Sequence, residues 1–265
     1  MLQRLKIEWM KIRPYRTFWI LFILYLIGIY GINYIAYSIL QSIYEAKEAK
    51  GMGQMILGTF PYNFPHVWQA TAYFASYLLI LPGVLMIILF GNEYNFKTHR
   101  QNVIDGWSRK QFISAKLSIA VIMAVASTVM VFITAVIMGL INAEPFTTEK
   151  MIYIFYFFIQ ALSYILTAIL FAMLFRRGGL AIAIYFIYIF FVDNILAFYM
   201  NKYLNLAGRY LPLESTDNLI TVPVMERVQK EIVQPYNITA LLIAAFLYLC
   251  TYFFLSYRKF QTDDL

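Results

Sequence analysis

The chain has 265 residues, 62% of them hydrophobic and 13% charged, with 21 Lys and Arg against 14 Asp and Glu. A soluble globular protein carries about 25% charged residues, so the composition excludes an ordinary soluble domain and indicates a polytopic all-α membrane protein. A single cysteine, Cys250, excludes an intrachain disulfide, and two histidines, His66 and His99, give no basis for a metal or haem site.

Residues 1–17 form a basic amphipathic segment. Met1, Leu2, Leu5, Trp9 and Ile12 share one helical face, with Arg4, Lys6, Lys11 and Arg13 beyond its edges. Such a helix lies in the headgroup layer, held by Trp9 and by attraction to anionic lipid. Pro14 ends it. The first apolar run, Phe18–Leu40, is too long for a signal-peptide core and reads as a retained span.

Six runs are long enough to cross a core that needs about 20 apolar residues: Phe18–Leu40, Trp68–Phe90, Leu117–Leu140, Met151–Phe175, Leu180–Met200 and Tyr236–Leu255. Pro82-Gly83 inside the second predicts a kink. Between the first two, residues 41–67 carry several glycines and prolines beside Phe60, Tyr62 and Phe64, an irregular segment with aromatics near the outer interface.

Residues 92–116 are the longest polar and basic interruption, with Lys97, His99, Arg100, Arg109, Lys110 and Lys116. Asn95 or Thr98 is placed to cap a short helix that Gly106 ends, with Phe96, Val103 and Trp107 roughly on one side. Ser108–Gln111 reads as a capping box opening the next helix. A short helix across the base of two spans is a docking handle, although a plain basic inter-span loop carries the same charges. The next loop on this side is only Arg176-Arg177-Gly178-Gly179, a glycine turn that makes spans four and five antiparallel neighbours.

Asp193, beside Asn194, is the acid deep inside a span. A charge there costs about 2.5–3.5 kcal/mol on insertion scales, so it faces the bundle interior or a wet cavity. Three roles stay open: a protonated structural group bonded to Ser, Thr or Tyr, a lining of the substrate path, or an ion relay. Residues 201–235 are too apolar for a free loop. Leu204, Leu206, Tyr210, Leu211, Leu213, Leu219 and Ile220 call for burial, and Pro223 starts a short helical pattern. Segments of this type dip back into the membrane or cover a cavity. Fourteen of the 21 Lys and Arg fall on the side of the termini and the 92–116 loop, which predicts cytosolic termini.

Glu93, Thr98, Trp107-Ser108-Arg109 and Lys116 together resemble the signature cytosolic loop of permease subunits of type-2 ABC exporters. That family usually has a small residue or Pro near the position of Trp107, and Gly where this chain has Lys97. The resemblance implies one permease domain over residues 1–265 in the cytoplasmic (inner) membrane. It implies two ABC ATPase subunits per complex carrying ATP and Mg, and a second permease subunit, identical or related. Residues 92–116 become the coupling loop, with Glu93, Phe96, Lys97, Thr98, Arg100, Asp105, Trp107 and Arg109 as its working residues. Arg176, Arg177 and Gly178 become a second, smaller coupling element, and residues 201–235, with short re-entrant helices, the outer gate.

The chain itself carries no phosphate-binding glycine loop, no zinc-protease helix motif and no nucleophile elbow. No catalytic residue, cofactor or metal is therefore expected in it, and no nucleic acid as partner. An ion-coupled secondary carrier working through Asp193, or a structural membrane subunit, are the rival readings.

Overall fold

A computed structural model describes residues 2–45, 59–104, 106–142, 145–223 and 237–262. Within these the chain is all helical. A short helix α1 (Leu2–Ile12) turns at Pro14 into α2 (Arg16–Glu45). Then come α3 (Val67–Ser76), α4 (Ile80–Asn95), the short α5 (Thr98–Ile104), α6 (Arg109–Ile141) and α7 (Ile152–Phe175). The fifth span runs from Gly178 to Tyr203 as α8 (Gly178–Ile187), a π turn (Tyr188–Val192) and α9 (Asp193–Tyr203). A 3₁₀ turn (Ala207–Tyr210) and the one-turn α10 (Glu214–Asp217) precede the last helix, α11 (Ile238–Thr262).

Five helices are long and apolar enough to cross a membrane, and α3 with α4 makes a sixth span bent by 44°. The bend has a local cause. Pro82 lacks an N–H, and its ring excludes the carbonyl four residues earlier, at Leu78. The chain tightens to i→i−3 hydrogen bonds there, Leu78 N to Ala75 O and Leu79 N to Ser76 O. The expected kink is thus real but lies one turn ahead of the proline.

Gly83 takes no part in that bend. A Cβ at this position would lie 2.1 Å from the Tyr185 hydroxyl oxygen, which donates to the Tyr164 carbonyl. The glycine serves a close approach of α4 to α8. The same holds at the Arg176–Gly179 turn, where the sequence pattern points to a glycine reversal. The left-handed residue is Arg176, with φ +52°, and Gly178 begins α8. The close approach of α8 to α4 here depends on Gly91, whose added Cβ would meet the Gly178 Cα at 3.1 Å, whereas one on Gly178 would meet Gly91 at an ordinary 3.8 Å.

α7 is the central post. Two thirds of its apolar window is buried (67%), against 17% for α11, and it packs on α3, α4, α6, α8 and α11. The aromatics of residues 60–68 pack into the bundle: Tyr62 and Trp68 are fully buried. The Tyr62 hydroxyl donates to Asn33 Oδ1 at 3.0 Å, and Trp68 Nε1 donates to the Thr147 carbonyl. In the 201–223 stretch, Leu213, Leu219 and Ile220 are buried as expected, whereas Leu204 and Tyr210 are exposed. Asp105, the helical pattern expected after Pro223 and the side chain of Arg100 lie outside the described residues.

The two close approaches give a paired prediction. Gly83→Ala overpacks a fully buried contact and should destabilise by about 1–3 kcal/mol. Gly31→Ala, which meets nothing within 4 Å, should be neutral or better. Thermal unfolding of both variants in one detergent checks this, and a neutral Gly83→Ala would contradict the packing.

Candidate functional site at the base of the loop

The loop helix α5 stands on an electrostatic knot. α6 is 33 residues long, or about 50 Å, while the membrane core is about 30 Å thick. Its first turns therefore rise clear of the apolar layer, and they carry Lys116. That side chain is 3% exposed and points at Glu93, in the last turn of α4, and Glu8, in the middle of α1. Lys116 Nζ lies 2.6 Å from Glu93 Oε1 and also donates to Glu8 Oε2. Lys11 Nζ closes the set at 3.0 Å from both Glu8 Oε1 and Glu93 Oε1.

Two acids and two lysines make the knot neutral. Desolvation pushes the Glu8 carboxyl up, but Lys116 and then Lys11 outweigh it and hold it below its ordinary value. Aromatic rings complete the wall: Lys116 sits over Phe112 and Phe90 at 5.4 and 5.9 Å, and Lys11 over Trp107 at 5.9 Å. An interior pair of this kind adds little net stability over an apolar core, yet it fixes one geometry, because removing a partner strands a buried charge.

The knot joins three elements that local patterns leave separate. Glu93 and Lys116 carry the family resemblance. Glu8 does not, and sequence reasoning passed over it. Its trace in the sequence is its position four residues before Ile12, on the inner face of α1, where both are buried. Trp9, the expected membrane anchor, is exposed and edge-on to Trp19 at 5.4 Å.

Around the knot the loop takes a defined shape. Lys97 adopts φ +54° between α4 and α5, and Gly106, with φ +98°, ends α5. Ser108 forms the expected capping box with Gln111, accepting from its N–H at 3.2 Å and returning its own N–H to Oε1 at 3.1 Å. Phe96 is 76% exposed and Ile104 77%, so the loop presents two large apolar side chains outward. Ile104 was not among the expected residues. Trp107 divides from Phe96: it packs partly buried against the core under Lys11. Arg109 turns inward, its guanidinium donating to the Gln261 carbonyl of α11. Thr98 is half-buried, and it lines with Glu8, Glu93 and Phe96 a cavity of about 450 Å³ between α1 and the loop. Arg176 and Arg177 are exposed at the adjoining turn, which the Gly91–Gly178 approach holds beside α4.

At the far end of the bundle Asp193 is buried. The Tyr188 hydroxyl donates to its Oδ1 and the Glu214 N–H to its Oδ2, both at 3.2 Å. Asn194, next to it in the first turn of α9, donates its amide back to the Ile189 carbonyl of the π turn at 2.8 Å. Asp193 and Asn194 line a cavity of about 320 Å³ together with Asp217, a second, half-buried acid that sequence reasoning did not single out. Asp217 accepts from Gln160 Nε2 at 2.8 Å and from the Tyr164 hydroxyl at 3.0 Å. Burial pushes its carboxyl up to about 7, the Gln160 bond opposing and Glu214 adding to the rise.

Breaking the knot should free α1. Lys116→Met strands two facing carboxylates and should cost about 3–5 kcal/mol, with trypsin cleavage after Lys11 and Arg16 accelerated at least tenfold; the exposed Lys6→Met should change neither. A depressed carboxyl contributes stability above its unfolded value of 4.5 that is lost as pH falls through its lower folded value. The wild-type thermal midpoint should therefore hold from neutral pH to about that value and drop below it, and more steeply than in Glu8→Gln. Unchanged trypsin sensitivity in Lys116→Met would show that the knot does not hold α1.

No curated protein matches the chain. A model of the ABC-2 family of transporter proteins matches residues 4–192, which takes in α1, the loop, the knot and all but the end of the fifth span. With its all-helical bundle of membrane-crossing helices, the chain belongs to the ABC-2 transporter family as a multi-pass permease subunit that is not itself catalytic.

Proposed function

We propose that the chain is the membrane subunit of an ATP-driven exporter, seated through residues 92–116 on a separate ATPase subunit. The observation that carries this reading is the pair of outward apolar side chains, Phe96 and Ile104, on a short helix whose base is fixed by a buried charge knot. Exposed side chains of that size on a polar, basic loop gain nothing from water and fit a groove on a partner. Lys97 and the exposed Arg176 and Arg177 supply a basic rim for an acidic surface.

In this reading the loop face and both termini are cytosolic, as the distribution of Lys and Arg indicates, and the membrane is the cytoplasmic (inner) one. Two permease subunits, identical or related, enclose the path above two ATPase subunits, which bind ATP and Mg. Closure of the ATPases pushes on α5. The knot passes the push at once to the ends of α4 and α6 and to α1, because no one of the three can move without separating buried charges. Arg109, tied to Gln261, carries the same motion to α11. The bend at residues 77–79 divides the second span, so its loop half can tilt while α3 stays held by Trp68 and Asn33. Residues 201–223 then sit where a gate at the opposite end of the path belongs.

Docking and stability separate cleanly at two positions. Phe96→Ala and Ile104→Ser alter exposed side chains and should leave the thermal midpoint within about 0.5 kcal/mol-equivalent of wild type. Together they should reduce co-purification of the ATPase subunit and cargo-coupled hydrolysis at least tenfold. Trp107→Ala should lower both docking and stability, since that ring also packs inward. Full co-purification and coupled hydrolysis in the Phe96/Ile104 double variant would reject the docking assignment.

A further inference from the structure

The cavity at the far end of the bundle has an electrostatic imbalance that the knot lacks. Its wall carries Asp193 and Asp217, and among the described residues no lysine or arginine lines it. Both carboxylates are held by neutral donors only: Tyr188 and the backbone N–H groups of Leu213 and Glu214 for Asp193, Gln160 and Tyr164 for Asp217. An ionised carboxylate offers about four acceptor sites, more than either set of donors fills. Capacity for further donors therefore remains on both.

A second observation is independent of the acids. Gln160 is 3% exposed and lines the cavity, and while its Nε2 serves Asp217, its Oε1 has no hydrogen-bond partner. A buried amide oxygen without a donor costs roughly 1–3 kcal/mol. The cavity wall thus shows three acceptor groups in want of donors: two carboxylates and an amide oxygen. The remaining wall is aromatic and aliphatic, with Tyr73, Tyr164, Ile80 and Ile189 deeper in and Tyr77 and Phe190, both more than half exposed, at the rim.

We propose that this cavity binds an organic ammonium ion, a primary amine on an apolar or aromatic body. The ammonium head has three N–H donors, one for each acceptor group, and supplies the positive charge that lets buried carboxylates ionise. The tyrosine faces attract the cation and the apolar wall takes its body. A volume of about 320 Å³ suits a small amine or the side chain of a larger cationic molecule, and lies within the range of ordinary ligand sites, about 300–1,000 Å³. Inorganic cations are the weaker fit, because a bare metal ion leaves the aromatic wall and the rim unused. The family match ends at residue 192, so Gln160 and Tyr164 lie within it and the two aspartates beyond it. The proposal rests on the permease reading only for its role in transport. Binding itself does not depend on an ATPase.

The test therefore measures binding by the full chain in lipid nanodiscs, without nucleotide or partner. Titration with 2-phenylethylammonium should give one saturable site, and the neutral 2-phenylethanol should bind at least tenfold more weakly. Asp217→Asn and Asp193→Asn keep side-chain volume and should each weaken amine binding at least tenfold, with Lys6→Met, on α1, unchanged. Should Asp193→Asn fail to fold, Tyr77→Ala at the exposed rim provides the same readout and should weaken binding at least threefold. Equal binding of amine and alcohol, undiminished amine binding in Asp217→Asn, or a site that takes millimolar Na⁺ or K⁺ in preference to the amine would each overturn the proposal. Failure here leaves loop docking standing, and loss of docking in the Phe96/Ile104 variant leaves this titration unaffected.

Discussion

Lys116 between Glu8 and Glu93 is the constraint on which the loop end of this protein depends. Three helices that need not have met, an amphipathic surface helix and the ends of two spans, share one buried ammonium group. The chain could have filled that space with leucine at equal or better stability. What the charges give is exclusivity. An apolar contact tolerates sliding by a few ångströms, whereas two carboxylates around one lysine have a single arrangement in which none is left desolvated and alone. A loop that docks as proposed would need a base of that kind, and the Lys11 ring contact on Trp107 extends it into α5's own exit.

The rest of the bundle repeats this logic with shape in place of charge. α7 is buried on nearly every side, and its neighbours approach closely where side chains are missing: α8 reaches α4 through Gly83 against Tyr185 and again through Gly91 against Gly178. Lipid tails are as apolar as the side chains, so packing and hydrogen bonding, not water exclusion, hold such helices together. The Tyr185 hydroxyl shows both at once, lying on a bare glycine while donating to the Tyr164 carbonyl. The second span can break at residues 77–79 without loosening the bundle because each half has its own anchors.

How much of this was legible in the sequence follows from the range of the interactions involved. Span positions, the capping box at Ser108, the end of α5 at Gly106 and the presence of a bend near Pro82 are local. Each is written in residues within a turn or two of the feature, and each is where the sequence pattern puts it. Roles that depend on a distant partner were not readable. Gly83 looks like a backbone device and is a packing device, because Tyr185 is far away in the chain. Glu8 looks like one more polar residue on a basic helix until Lys116, 108 positions on, is beside it. Asp217 sits in a short acidic turn that resembles a solvated loop until α7 supplies Gln160 and Tyr164. Of the loop residues, Glu93 and Trp107 turn partly inward, and Ile104 escaped notice because an isolated isoleucine on a short helix normally packs.

The two ends of the molecule carry buried acids for opposite ends, and their charge balance separates the cases. At the loop, each carboxylate has lysine partners and the set sums to zero. That is the signature of an architectural joint. At the far end, two carboxylates and an unserved amide oxygen share a cavity with tyrosines but with no cation among the described residues. Such carboxylates bring a desolvation cost with no structural return of their own, since Asn in place of either aspartate would keep hydrogen bonds to Tyr188, Gln160 and Tyr164 within reach at lower expense. The cost makes sense when the missing charge arrives from outside and leaves again. For a transporter that is a working condition and not a defect. A cargo site must be incomplete without its cargo, and it must not be so well completed by the protein's own lysines that nothing needs to enter.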